Sequence, residues 1–175
     1  MVEKLLISVV MAVYNGESCV DDAIKSILNQ TFKDFEFIIV DDGSSDNSYN
    51  IIKSYASRDK RIKIIRNLVN LGLTKSLNKA ILLSKGTYIA RQDDDDISLP
   101  NRLEYQIKFL QENPDYAFCG CNGILKQNKA ELLKSFSLEE IKRNLIKKNC
   151  FAHPSIIIRR SISNRSIIAT CSVIN

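Results

Sequence analysis

Four consecutive aspartates, Asp93 to Asp96, are the densest set of chemically capable side chains in the sequence. Adjacent carboxylates repel one another, so an uncompensated run costs stability. A divalent cation removes that cost and can bridge phosphate oxygens. Alternate residues of an extended loop point the same way, so Asp93 and Asp95 can converge on one ion. The spacing does not suit an EF-hand. Ile97 and Ser98 stand where that loop needs an oxygen ligand and a glycine. The other reading is an exposed acidic turn. It is disfavoured because the run follows the apolar segment Thr87 to Ala90, which reads as a buried strand.

Two further polar segments also follow apolar runs. Val13-Tyr14-Asn15-Gly16-Glu17 succeeds Leu6 to Val13, and Asp41-Asp42-Gly43-Ser44-Ser45-Asp46 succeeds Phe35 to Val40. Asp42 can accept a hydrogen bond from a base N–H or a sugar hydroxyl. Its alternative use is as a helix N-cap, a task for which Ser44, Ser45 and Asp46 are better placed. Tyr14 can stack on a flat base, or be core. A dinucleotide-binding turn needs closely spaced glycines after the first strand. Here that turn has Gly16 alone, and neither GxGxxG nor GxxxxGK[ST] occurs. Phosphates would have to be held by other means, for which a metal ion is suited.

The elements that must position these loops are legible in the apolar period. Runs at Leu6–Val13, Phe35–Val40, Ile62–Ile65 and Thr87–Ala90 are strand-like. Between them, Val20, Ile24, Ile27 and Leu28 repeat at helical spacing, as do Ile51, Ile52 and Tyr55, and Leu73, Leu77, Ala80 and Ile81. Gly86 is read as the stop of the third helix. Pro100 opens a helix carrying Leu103, Ile107 and Leu110, which ends before Pro114. Residues 116–120 and 155–158 read as strands and 137–147 as a helix. This alternation predicts an α/β, Rossmann-like domain with a mostly parallel central sheet flanked by helices. Ligands of such sheets bind at the carboxyl ends of the strands, where all three polar loops fall.

Composition narrows the class. A length of 175 residues suits one domain, with no run approaching a membrane span and no basic leader at the start. Five scattered cysteines argue against a disulfide framework and for free thiols in a cytoplasmic protein. Residues 126–175 hold ten Lys and Arg against three Glu, a net of +7, and residues 1–125 sum to −2, giving +5 overall. That basic part suits nucleic acid, anionic lipid or a phosphate-bearing substrate, or is a solvated helix.

Taken together, SVVMAVYNGE at 8–17, SILNQTFKDFEFIIVDDGSSDNS at 26–48, NLGLTKSLNKAI at 70–81, GTYIARQDDDDISLPNRLEYQIKFLQENP at 86–114 and FAHPSIIIRR at 151–160 resemble the family-2 glycosyltransferases. These are inverting enzymes with the GT-A (nucleotide-diphospho-sugar transferase) fold. The phrase IARQDDDDISLPNRLE is similar to members that build bacterial surface or capsular polysaccharides. The resemblance implies a nucleotide-sugar-binding domain over residues 1–160 and a divergent tail over 161–175. It implies that Ala12, Tyr14 and Glu17 line the nucleotide pocket and that Asp42 contacts the base. Lys75 and Asn78 would lie on the segment approaching the nucleotide. Asp93 and Asp95 match the outer members of a DxD motif, with Asp94 between them and Asp95 as the main ligand of Mn2+ or Mg2+. The metal would offset charge on the departing diphosphate. His153 and Pro154 match a pair near the acceptor side.

An inverting transfer also needs a general base for the acceptor hydroxyl. The family places that carboxylate in a later acidic motif. Here no Asp or Glu follows Glu140, and the tail reads as truncated or frame-shifted. The expected function is therefore transfer of a sugar from a nucleotide diphosphate, UDP foremost, to a glycan or lipid-linked acceptor in cell-surface polysaccharide synthesis. The alternatives are a donor-binding remnant and a non-catalytic protein that binds a partner. Expected surroundings are the cytoplasm, with peripheral association at the inner face of the membrane and no nucleic-acid partner. An oligomer is compatible with the sequence.

Overall fold

A computed structural model describes residues 6–121 and 153–163. Its elements run β1 (Ile7–Val13), α1 (Val20–Leu28), β2 (Phe35–Asp41), α2 (Ser48–Ala56), β3 (Ile62–Arg66), α3 (Leu73–Leu83), β4 (Tyr88–Arg91), α4 (Arg102–Glu112) and β5 (Phe118–Cys119). A 3₁₀ turn at His153–Ser155, β6 (Ile157–Arg159) and the short α5 (Arg160–Ser163) follow. The strands form one sheet in the order β3-β2-β1-β4-β6-β5. β1 pairs in parallel with β2 and β4, and β2 with β3. β6 runs antiparallel to both β4 and β5. The sheet is thus mostly parallel, as expected from the sequence, over four strands, with β6 antiparallel at the flank. The strand expected at 155–158 begins two residues later, and the helix expected at 137–147 lies outside the described residues.

The parallel strands are apolar throughout because both of their faces are covered. Odd-numbered residues of β1 and β2 (Ile7, Val9, Met11, Val13, Phe35, Phe37 and Ile39) pack with Val20, Ile24 and Ile27 of α1, Ile52 of α2 and Leu103, Ile107 and Leu110 of α4. The opposite parity, Val10, Ala12, Ile38 and Val40, packs with Leu77 and Ala80 of α3. One side chain inverted in parity would move an apolar group from one packed layer to the other, so the register is tightly specified.

The connections explain where a site can form. The chain steps outward from β1 to β2 to β3 with α1 and α2 on one face, then returns through α3 on the other to place β4 beside β1. The strand order thus reverses at β1, and the loops after β1 and β4 both lead to helices on one face, α1 and α4. Sheets of this kind take their ligands at the carboxyl ends of the strands where the order reverses.

Gly86 does not act as the stop of α3. The helix ends at Leu83, and Ser84 leaves in an extended conformation. Gly86 instead lies against β1, where a Cβ would sit 2.4 Å from the Ser8 amide nitrogen. Its own N–H donates to Ser8 Oγ at 2.8 Å.

Candidate functional site at the carboxyl edge of the sheet

The loop after β1 is held rigidly to the loop after β2. Asn15 adopts the left-handed region, φ 52°, which Asn tolerates better than most residues. Its N–H donates to Ser44 Oγ at 3.0 Å, and its Oδ1 accepts from Ser45 N–H at 2.9 Å. Gly16 N–H donates to Ser48 Oγ at 2.9 Å and Glu17 N–H to Asp46 Oδ2 at 3.0 Å. Glu17 Oε2 in turn accepts from Asn47 N–H at 2.9 Å, so this carboxylate serves the first turn of α2, where negative charge is favoured. Ala12 is buried beneath these contacts, and Tyr14 remains half exposed at the mouth.

Asp42, 2% exposed, has a task that its sequence position does not reveal. It accepts from Asn67 Nδ2 at 2.7 Å, Leu71 N–H at 2.9 Å and Gly72 N–H at 2.8 Å. Burial alone would raise its pKa, but these donors outweigh burial and hold it below the ordinary value. Asp42 therefore ties down the loop from β3 to α3. Lys75 and Asn78 lie on α3 just beyond that loop, both exposed.

The acidic run follows β4 directly. Asp93 is clamped by Arg91, whose Nη2 donates to its two oxygens at 2.8 and 3.1 Å. Asp94 packs against the β1 loop, and a Cβ on Gly16 would lie 2.5 Å from Asp94 Oδ2. Glycine at 16 is thus what lets the acidic run touch that loop. Burial first, then the neighbouring carboxylates Asp95, Asp93 and Asp96, push the Asp94 pKa up to about 6. The Asp96 pKa is raised by burial and by Asp95 and Asp93, with Arg102 and Arg91 opposing. Asp95 is exposed.

These residues fit a hard divalent cation. They are oxygen donors with an excess of negative charge, and Asp94 shows that the excess is felt. Among the described residues no three His, Cys, Asp or Glu form a ready-made cage. That is compatible with Mg2+ or Mn2+, which is commonly held by one or two carboxylates completed by phosphate oxygens and water.

Beneath the run lies a buried polar network absent from the sequence-based expectations. Gln92 Nε2 donates to the carbonyls of Asp93 at 3.0 Å and Asp96 at 2.7 Å. Gln92 Oε1 accepts from Ser98 Oγ at 2.6 Å and Arg102 Nη1 at 2.9 Å. Arg102 Nη2 donates to the Arg91 carbonyl at 2.7 Å, and Gln106 Nε2 reaches the Ser155 carbonyl at 2.7 Å. The available signal was Arg102 and Gln106 four apart beside the apolar stripe of α4. His153 begins the 3₁₀ turn, but its side chain is outside the described residues.

A model of "Glycosyl transferase family 2" matches residues 8–166. The uncharacterized glycosyltransferase MJ1057 of Methanocaldococcus jannaschii is 44% identical, covering 91% of this chain and 58% of the relative. The O-antigen biosynthesis glycosyltransferase WbnJ of Escherichia coli is 38% identical, covering 90% of this chain and 63% of the relative. The chain thus spans about 60% of the length of these relatives. Staphylococcus aureus TarS 1-349 in complex with UDP-GlcNAc superposes with a TM-score of 0.75 at 22% identity, over 93% of this chain and 48% of that one. The mannosyltransferase PcManGT of Pyrobaculum calidifontis, in complex with GDP-Man and Mn2+, gives 0.70 at 16% identity, over 91% and 46%. These likenesses show that the fold is GT-A.

Proposed function

The chain belongs to glycosyl transferase family 2, and from that premise we propose that its sheet edge binds a UDP-sugar with Mn2+ or Mg2+. The observation that carries this reading is the meeting of Asp94 with Gly16 at the β1–β4 switch point. It sets a cation-seeking carboxylate run against the loop bearing Tyr14 at the position where this class of sheet takes its ligands.

In this reading the half-exposed Tyr14 stacks on the base, and the buried Ala12 leaves room beneath it. Asp42 holds the β3–α3 loop beside the base and offers an oxygen to its N–H. Glu17 keeps the β1 loop against α2, and Lys75 and Asn78 on α3 approach the nucleotide. Asp95 and Asp93 would hold the cation, with Asp94 between them. When bound, the metal neutralises charge accumulating on the departing diphosphate. For Asp93 this requires sharing its carboxylate with Arg91.

The relatives named for O-antigen synthesis and for UDP-Glc transfer to a diphosphoundecaprenol-linked sugar support an acceptor that is a glycan or is lipid-linked, with inversion at the transferred sugar. An acceptor of that kind is met at the inner face of a membrane, and no helix among the described residues is long and apolar enough to cross one. Peripheral association from the cytoplasm is the matching proposal.

Thermal denaturation with UDP and Mn2+ tests the donor site. The melting temperature rises with both present, and Asp95→Ala removes the rise. No shift with any nucleoside diphosphate would sink the reading. Release of UDP from UDP-sugars, with and without a lipid-linked acceptor, then distinguishes transfer from binding alone.

A further inference from the structure

Arg102 occupies an unfavourable place. It is the first residue of α4, where the helix dipole opposes a positive charge, and it is only 8% exposed. A cation buried this way is ordinarily matched by a carboxylate in direct contact. Here the hydrogen bonds of the guanidinium go to neutral acceptors: the Arg91 carbonyl at 2.7 Å, Ser98 Oγ at 2.8 Å, Gln92 Oε1 at 2.9 Å and Gln106 Oε1 at 3.2 Å. Its charge is left to act through space on the adjoining run.

Gln92 completes the arrangement. It is 1% exposed, and its amide donates to the carbonyls at both ends of the run, Asp93 and Asp96. Arg102 fixes the amide orientation by donating to its oxygen. A fork of this shape cannot be reproduced by lysine.

The charges give the arrangement a direction. Asp93 to Asp96 carry four negative charges, and Arg91 and Arg102 supply two positive ones. The residue of about two negative charges equals the charge of one divalent cation.

We propose that Arg102, acting with Gln92, is a positioning residue for the acidic run, setting the curvature and residual charge with which Asp93 to Asp96 receive the metal–diphosphate pair. The proposal rests on the donor-site reading above. It assigns work to residues that touch neither the nucleotide nor the metal. Outer partners of metal ligands typically change metal affinity 10- to 100-fold when altered.

The test is Mn2+ affinity, read by electron paramagnetic resonance in the presence of UDP, on the 175-residue chain and on Arg102→Lys, Gln92→Met and Ser98→Ala. UDP affinity without metal and the melting temperature are measured beside it. Arg102→Lys and Gln92→Met are expected to weaken Mn2+ by roughly 10- to 100-fold. Ser98→Ala, which removes one acceptor and spares the fold, should weaken it in the same direction by a smaller factor. UDP affinity without metal should change by less than about threefold in all three, since no base or ribose contact is altered. Should the first two variants fail to fold, Ser98→Ala decides alone. Loss of UDP affinity to the same degree with and without Mn2+ would mean a merely structural role and overturn the inference. So would unaltered Mn2+ affinity in the folded variants. If the unaltered chain shows no Mn2+-dependent UDP binding, the donor-site reading falls as well.

Discussion

Glu36 and Asp42 stand near opposite ends of β2, and both are buried carboxylates kept ionised by donors. Glu36 is 3% exposed and accepts from Ser8 Oγ at 2.6 Å, Lys85 N–H at 2.6 Å and Lys63 Nζ at 2.5 Å. Burial would raise its pKa, but Lys63, Ser8 and Lys85 outweigh burial and hold it below the ordinary 4.5. Because the folded value is the lower one, folding favours the carboxylate. Its contribution is fully present above the ordinary value and is lost as pH falls through the lowered one. Glu36→Gln keeps the shape and loses the charge, so it should cost about 2 kcal/mol at pH 7. Below pH 4.5 the gap to the unaltered chain should narrow. Urea denaturation across that range checks this, and a gap that stays constant to the acid limit would exclude the linkage. Little of the gap comes from Lys63, whose side chain is about half exposed and screened.

At the scale of elements, Gly43 shows how a loop is shaped by its neighbour. It has φ 76°, and a Cβ there would lie 2.7 Å from the Val69 carbonyl carbon and 2.8 Å from the Asn70 nitrogen. The β3–α3 loop thus rests on Gly43 and hangs from Asp42. Gly43→Ala should cost about 2–3 kcal/mol through its backbone conformation and the displaced loop. In the proposed donor site it should also weaken UDP binding, because the loop proposed to lie beside the base must lift. Chemical denaturation and UDP titration check both, and a folded variant with unaltered UDP affinity would separate the loop from the site.

The strands and helices were legible because burial on both faces writes continuous apolar runs, and burial on one stripe writes a helical period. The loop residues Tyr14, Asp42 and Asp93 to Asp96 were legible by their position after those runs. What the period hides is polar burial. Arg102 and Gln106 lie outside the apolar stripe of α4 that the period picks out, yet they are buried because a polar network takes their donors and acceptors. Asp42 read as a ligand group or a helix N-cap, and its tie to the β3–α3 loop was hidden because Leu71 and Gly72 donate backbone N–H groups that no side-chain pattern records. The antiparallel direction of β6 was equally hidden, because three residues, Ile157–Arg159, have no polarity in an apolar pattern.

Across the whole molecule the two edges of the sheet are built to different ends. β1 spans them with seven residues, about 20 Å at the usual rise. At its amino end, Ser8, Glu36, Lys85 and Gly86 form a satisfied network that serves the fold. At the carboxyl end, carboxylates are gathered beyond what Arg91 and Arg102 neutralise, a repulsion that the proposed cation would relieve. Stability and binding should therefore be separable by edge. Asp95→Asn removes repulsion, so without ligand it should raise the melting temperature by about 1–2 °C while abolishing the rise with UDP and Mn2+. Glu36→Gln should lower the melting temperature by about 4–8 °C while leaving the Mn2+–UDP dissociation constant within about threefold. At this separation the two effects on stability should add in the double variant to within about 0.5 kcal/mol. Differential scanning calorimetry of the four proteins, with and without Mn2+–UDP, makes the comparison. A drop in melting temperature for Asp95→Asn without ligand would show that the acidic run is a structural part of the fold, with no strain held for a cation.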